Sequence, residues 1–175
     1  MRFLALIDFS ISSTSKKGLI VLEGRNLIKN GTFSSGDEWT FSPRSTLYPG
    51  EYLLFRNDST GDMRWVSQRI SIFPATRYML SYYAKRQGRY DTWAGFHYVD
   101  NTGEARYIHF PSSEYRLQDD LFVKVEYTFT TPFLLDSEIT LSVMGGADRW
   151  DGETFLMIKD VTLYEYDNFA PAIAE

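Results

Sequence analysis

Asn26-Leu27-Ile28-Lys29-Asn30-Gly31-Thr32-Phe33, followed six residues later by Trp39, and Phe155-Leu156-Met157-Ile158-Lys159-Asp160-Val161-Thr162-Leu163-Tyr164 are the two segments whose reading decides the fold. They stand like bookends. Between them lie strand-like runs separated by turn signals, and no run with a convincing helical period.

Working inward from the bookends, Pro49-Gly50 turns into Tyr52-Leu53-Leu54-Phe55. A strand is expected from Arg64 to Phe73, stopping at Pro74, and another from Arg77 to Lys85, followed by the loop Gln87-Gly88-Arg89. Thr92 to Val99 runs into Asp100-Asn101-Thr102-Gly103, a strong hairpin signal, and Glu104 to Phe110 returns from it as far as Pro111. Phe122 to Thr131 alternates and stops at Pro132, Glu138 to Met144 precedes Gly145-Gly146, and Thr154 to Tyr166 closes the domain. Strands at this spacing predict an all-β fold, an antiparallel jelly-roll β-sandwich. Helix is expected to be confined to a single turn between Pro111 and Asp120.

The expected domain covers residues 25–167, with a short tail at 168–175. Residues 1–24 read as an arm: a short strand around Leu4 and Leu6, a polar loop from Ser10 to Lys17, and the apolar run Gly18-Leu19-Ile20-Val21-Leu22. The arm is either an extra hairpin packed on the domain or a docking segment that pairs with another chain.

Composition excludes several classes. At 175 residues the chain has room for one domain with a full core. The absence of cysteine rules out disulfides and thiolate metal sites. With a net charge of -5 and no Lys/Arg run longer than two, the chain lacks the basic footprint that nucleic acid needs. The apolar start Phe3-Leu4-Ala5-Leu6-Ile7 is interrupted by Asp8, too soon for a signal peptide or a membrane helix, so neither export by its own signal nor membrane insertion is expected.

Side chains alternate across a strand. Tyr78, Leu80, Tyr82 and Ala84 form one core-facing set; Ala94, Phe96 and Tyr98, then Val123, Val125, Tyr127 and Phe129, then Ile139, Leu141 and Val143 form others. The opposite faces mix polar groups with Tyr83, Trp93 and His97, which would share a ligand face if their strands were neighbours. Aromatic rings stack on the C–H faces of a sugar while nearby polar groups bond its hydroxyls. Trp65 and Trp150 are rim candidates, the latter in the loop Ala147-Asp148-Arg149-Trp150-Asp151-Gly152.

Catalytic chemistry has less to stand on. His97 and His109 flank the Asp100–Gly103 turn without metal-ligand spacing or a third histidine. Glu104, Glu126, Asp148 and Asp151 could form a glycosidase pair, but nothing singles two of them out. The expectation is a non-catalytic protein.

Asn30-Gly31-Thr32-Phe33, Trp39, Val66-Ser67-Gln68, Tyr78 to Lys85 and Ile158 to Leu163 together resemble the galactose-binding-like β-sandwich of many carbohydrate-binding modules. The resemblance implies a binding layout, and in many such modules a structural calcium. Asp160 matches the last-strand acid of that calcium site, while Ser34 replaces the usual acid after Phe33 and Lys159 stands where a second acid is usual; the lysine could pair with Asp160 in place of the ion. Gly24-Arg25-Asn26-Leu27-Ile28-Lys29-Asn30 looks like the start of such modules in bacteriophage tail and baseplate proteins. The expected function is therefore a virion component, of tail, fibre or capsid surface, that contacts a host-surface glycan or decorates the particle. It would dock to other virion proteins through residues 1–24 and could form a homo-oligomer. The alternatives are an extracellular carbohydrate-binding module of a larger polysaccharide-degrading enzyme, or an architectural domain with no small ligand.

Overall fold

A computed structural model describes residues 25–57, 63–88, 90–110, 117–119, 121–133, 138–146 and 154–165. Ten strands run in order: β1 (Thr40–Phe41), β2 (Ser45–Tyr48), β3 (Tyr52–Asn57), β4 (Met63–Ser71), β5 (Arg77–Gln87), β6 (Asp91–Val99), β7 (Ala105–Phe110), β8 (Val123–Thr130), β9 (Glu138–Gly146) and β10 (Thr154–Glu165). They form two five-stranded sheets, β1-β4-β9-β6-β7 and β2-β3-β10-β5-β8, in which the paired strands are antiparallel. From β4 onward each strand lies in the opposite sheet to the one before it, except across the β6–β7 hairpin. This is the jelly-roll sandwich expected from the strand spacing, and no helix occurs among the described residues.

The core lies between the sheets. Tyr78, Leu80, Tyr82 and Ala84 of β5 face Ala94 and Phe96 of β6 and Ile139, Leu141 and Val143 of β9, all of them buried. Aromatic rings interlock across the layers: Phe129 of β8 has its centroid 5.2 Å from Phe96 and 4.8 Å from Phe110. Burial of this kind is the main stabilising term for a chain without cross-links.

The two bookends meet in space. Leu27 N donates to Leu163 O at 2.8 Å, Leu163 N donates to Asn26 Oδ1 at 3.0 Å, and Val161 N donates to Gly31 O at 2.9 Å. A side chain at position 31 would strike the carbonyl oxygen of Val161, so glycine is the residue that allows this approach. β10 carries a register shift between Lys159 and Thr162, with Asp160 in the left-handed region at φ 53°. Trp39 is buried on Phe33, ring centroids 5.1 Å apart, and its indole N–H donates to Asn30 O at 2.9 Å.

Two strands were not foreseen. β1 and β2 are the short edge strands of their sheets, in a Ser/Pro/Arg-rich stretch with exposed positions and no apolar alternation to reveal them. The expected arm at 1–24, the tail at 168–175 and most of the expected helical turn lie outside the described residues.

Candidate functional site

The outward face of the first sheet is organised in cross-strand rows. The register places Trp65 of β4 opposite Met144 of β9, and Met144 opposite Trp93 of β6. The next row holds Ser67, Ser142, Gly95 and His109. The third holds Arg69, Thr140, His97 and Tyr107. Rings thus flank a floor of Met144, Ser67, Ser142, Gly95 and Thr140. The result is a groove of about 360 Å³, lined by Trp65, Ser67, Gly95, His97, Tyr107 and His109 together with Met63, Phe96, Ile108, Ser142 and Met144.

Gly95 shapes the wall. The backbone of β7 leans over this position, so that a Cβ at 95 would lie 2.5 Å from the carbonyl oxygen of Ile108. Without a side chain there, β7 comes close enough to raise Tyr107 and His109 beside the floor. Tyr107 is 67% exposed, its centroid 5.4 Å from His97 and 6.3 Å from His109, giving a line of three flat rings along one side. Trp65, Trp93 and His97 are half-buried, which leaves part of each ring open.

The turn between β6 and β7 holds the wall in register. Asp100 Oδ1 accepts from the amides of Thr102 (2.9 Å) and Glu104 (3.0 Å) and from the Thr102 hydroxyl, while Oδ2 accepts from Arg106 Nε at 2.9 Å. These bonds, the Thr102 hydroxyl and Arg106 foremost, hold the Asp100 carboxyl well below the usual carboxylate range. Gly103 completes the turn at φ 85°.

Among the residues read as a site from sequence, the structure sets Trp65, Trp93 and His97 on one face, with Trp65 and His97 lining the groove and Trp93 beside it across Met144, and separates Tyr83 from them. Tyr83 and Trp93 would share a face only if their strands were neighbours. The chain changes sheet between β5 and β6, so Tyr83 lies on the outward face of the second sheet, on the far side of the sandwich. There its neighbours are lysines: Lys159 Nζ is 5.9 Å from its ring centroid, and the same ammonium is 4.7 Å from Phe122, which Lys85 also covers at 5.2 Å. Trp150 lies outside the described residues. Tyr107 and His109 were not assigned to the site, although the hairpin signal at Asp100–Gly103 carried the information: folding the chain back on that turn sets Tyr107 against His97 and His109 against Gly95.

The donor set around Asp160 does not fit calcium. Its carboxylate lies 3.9 Å from Lys159 Nζ, and no group of three or more acidic or histidine side chains able to hold a metal occurs among the described residues. Ser34, in place of the usual acid, bonds Asn30 Oδ1 through both its amide (2.9 Å) and its hydroxyl (2.7 Å). Of the carboxylates considered for hydrolysis, the two that are described, Glu104 and Glu126, stand apart. Glu104 sits at the β6–β7 turn with Arg106, Glu126 pairs with Lys124 at 2.7 Å on the other sheet, and Asp148 and Asp151 lie outside the described residues.

No protein-family model matches the sequence, and no curated protein matches it. Solved structures do match. The xylan-binding CBM22-1 domain of Paenibacillus barcinonensis Xyn10C aligns with a TM-score of 0.57 at 15% identity, covering 81% of this chain and 95% of that domain. The CBM22-1–GH10 modules of Clostridium thermocellum Xyn10B, solved with xylohexaose, align with a TM-score of 0.62 at 16% identity over 82% of this chain and 29% of that one. The enzymatically active domain of tailspike protein 4 of bacteriophage CBA120 aligns with a TM-score of 0.58 at 16% identity. That alignment covers 81% of this chain but only 21% of the tailspike chain, so this chain spans about a fifth of it. At such identities the likeness is one of fold. The chain has the galactose-binding-like β-sandwich found in carbohydrate-binding modules.

Proposed function

We propose that this chain is a non-catalytic glycan-binding module, and that the saccharide lies in the groove across β4, β9, β6 and β7. One observation carries the reading: across three rows of outward side chains, rings (Trp65, Trp93, His97, Tyr107 and His109) stand toward the margins, and Met144, Ser67, Ser142, Gly95 and Thr140 lie along the floor. An aromatic margin offers flat apolar surface to the C–H faces of a pyranose. The hydroxyls of Ser67 and Ser142 and the imidazoles of His97 and His109 offer polar partners to its hydroxyl groups. Tyr83 falls outside this site, and Tyr107 and His109 enter it.

The setting we propose is a virion, as part of a tail, fibre or capsid-surface protein that meets host-surface glycan. The likeness in fold to part of a phage tailspike supports it. The xylanase-borne modules of the same fold favour a second reading, in which the chain is the binding module of a larger polysaccharide-degrading enzyme in an extracellular setting.

The test is a glycan array followed by titration calorimetry of the hits with the parent chain and Trp93→Ala. A bound saccharide whose affinity falls about tenfold in the variant, with the fold intact, is the expected result. An array that stays blank while the chain co-assembles with virion proteins would replace the reading with a purely architectural one.

A further inference from the structure

Acidic residues outnumber Lys and Arg in this chain, 23 to 18, yet no Asp or Glu stands among the described residues that line the groove. The ionisable side chains among the described lining residues are His97, Tyr107 and His109. Arg69 stands in the same row as His97, on the same face, with Thr140 on the strand between them. Two strand spacings separate their backbones by about 10 Å, so both side chains reach the space above Thr140. Arg69 is exposed and forms no hydrogen bond or ion pair with another described residue. The four strands of this face carry two carboxylates among the described residues, one at either end and outside the groove. Glu138 lies opposite Ser71, a row beyond Arg69, and Asp91 lies a row beyond Trp93, with an oxygen 3.9 Å from Arg86.

This complement has a chemical consequence. A sugar hydroxyl donates as well as accepts, and a protein carboxylate is a good acceptor for its hydrogen bond. Imidazoles on the wall and a guanidinium at the edge, with no carboxylate among the described lining residues, instead suit a group that only accepts and carries negative charge. We infer that the saccharide taken by this groove is anionic, with its acid group held between Arg69 and His97 and its ring plane laid toward Trp93. The inference rests on the glycan-binding reading above and narrows it to a substrate class.

The experiment compares uronic-acid polysaccharides, polygalacturonate and glucuronoxylan among them, with their carboxyl-reduced counterparts, and a sulfated polysaccharide with its desulfated form, by affinity electrophoresis and calorimetry. The acid form of at least one pair is expected to bind about tenfold tighter than its neutral counterpart, with the gap shrinking as salt rises. Arg69→Gln is expected to close most of that gap by weakening the acid form, with the melting temperature unchanged as a control on folding. A preference confined to the sulfated pair would identify sulfate as the anion. Equal affinity for acid and neutral forms would overturn the inference and leave glycan binding in place. If no polysaccharide binds, both readings fall together.

Discussion

Trp65 and Trp93 stand level with one another on the same face of one sheet, with Met144 the only residue between them in the row. They come from strands separated in sequence by β5, which lies in the other sheet. Neither ring belongs to the buried core, so their outward placement is open to function.

Trp65→Ala and Trp93→Ala are each expected to weaken saccharide binding about tenfold while lowering stability by no more than about 1 kcal/mol. Calorimetry and urea unfolding on the same samples separate the two effects. A stability loss of several kcal/mol would instead place the ring in the structural core.

Gly95→Ala tests whether the lean of β7 makes the wall. The added methyl group would lie 2.5 Å from a backbone oxygen, which no rotamer change can relieve. The strand has to move away, at an expected cost of about 1–3 kcal/mol, with loss of saccharide affinity as Tyr107 and His109 retreat. Unchanged unfolding and binding curves would show that β7 is free to shift.

The β6–β7 turn is expected to be insensitive to pH across the neutral range and to loosen in acid. The carboxyl of Asp100 is held low in the folded state, so what it contributes is fully present above the ordinary aspartate value of about 3.9 and is lost as pH falls below it. Amide exchange at Thr102 and Glu104 should accelerate in that window, relative to amides of β9, and in Asp100→Ala it should be fast at all pH values. Equal protection in parent and variant would remove the carboxylate from the account.

Tyr78 gives the opposite sign at the other end of the scale. Burial, aided by the charge of Glu165, pushes its hydroxyl up, and that same hydroxyl accepts the amide of Phe73 at 2.9 Å. Its contribution is intact below the ordinary tyrosine value of about 10 and is lost as pH rises through the higher folded value. Tyr78→Phe leaves the Phe73 amide without this acceptor and is expected to cost about 1–3 kcal/mol in denaturant unfolding at neutral pH. A wild-type midpoint in that variant would mean that the amide finds another acceptor.

Much of the architecture was legible from residue order because it rests on local periodicity. Alternation in 77–87, 123–130 and 138–146 identified the buried set, and Pro, Gly and Asn placed most strand ends within a residue or two. The close backbone contact between Gly31 and Val161, which demands a residue without a side chain at position 31, was not read from residue order and is seen only in the fold. Strand alternation tells which side chains turn away from the core, and it did so correctly for Tyr83, Trp93 and His97.

What alternation does not carry is the identity of the sheet that a strand joins. Tyr83 and Trp93 both face outward, yet they look out from opposite sides of the sandwich, because the loop between β5 and β6 crosses from one layer to the other. The order of residues therefore settled the fold class, much of the core and the outward turn of Tyr83, Trp93 and His97. Long-range pairing settled which of those rings share a surface, since β4, β9 and β6 become neighbours through hydrogen bonds between segments distant in sequence, and no local pattern encodes that adjacency.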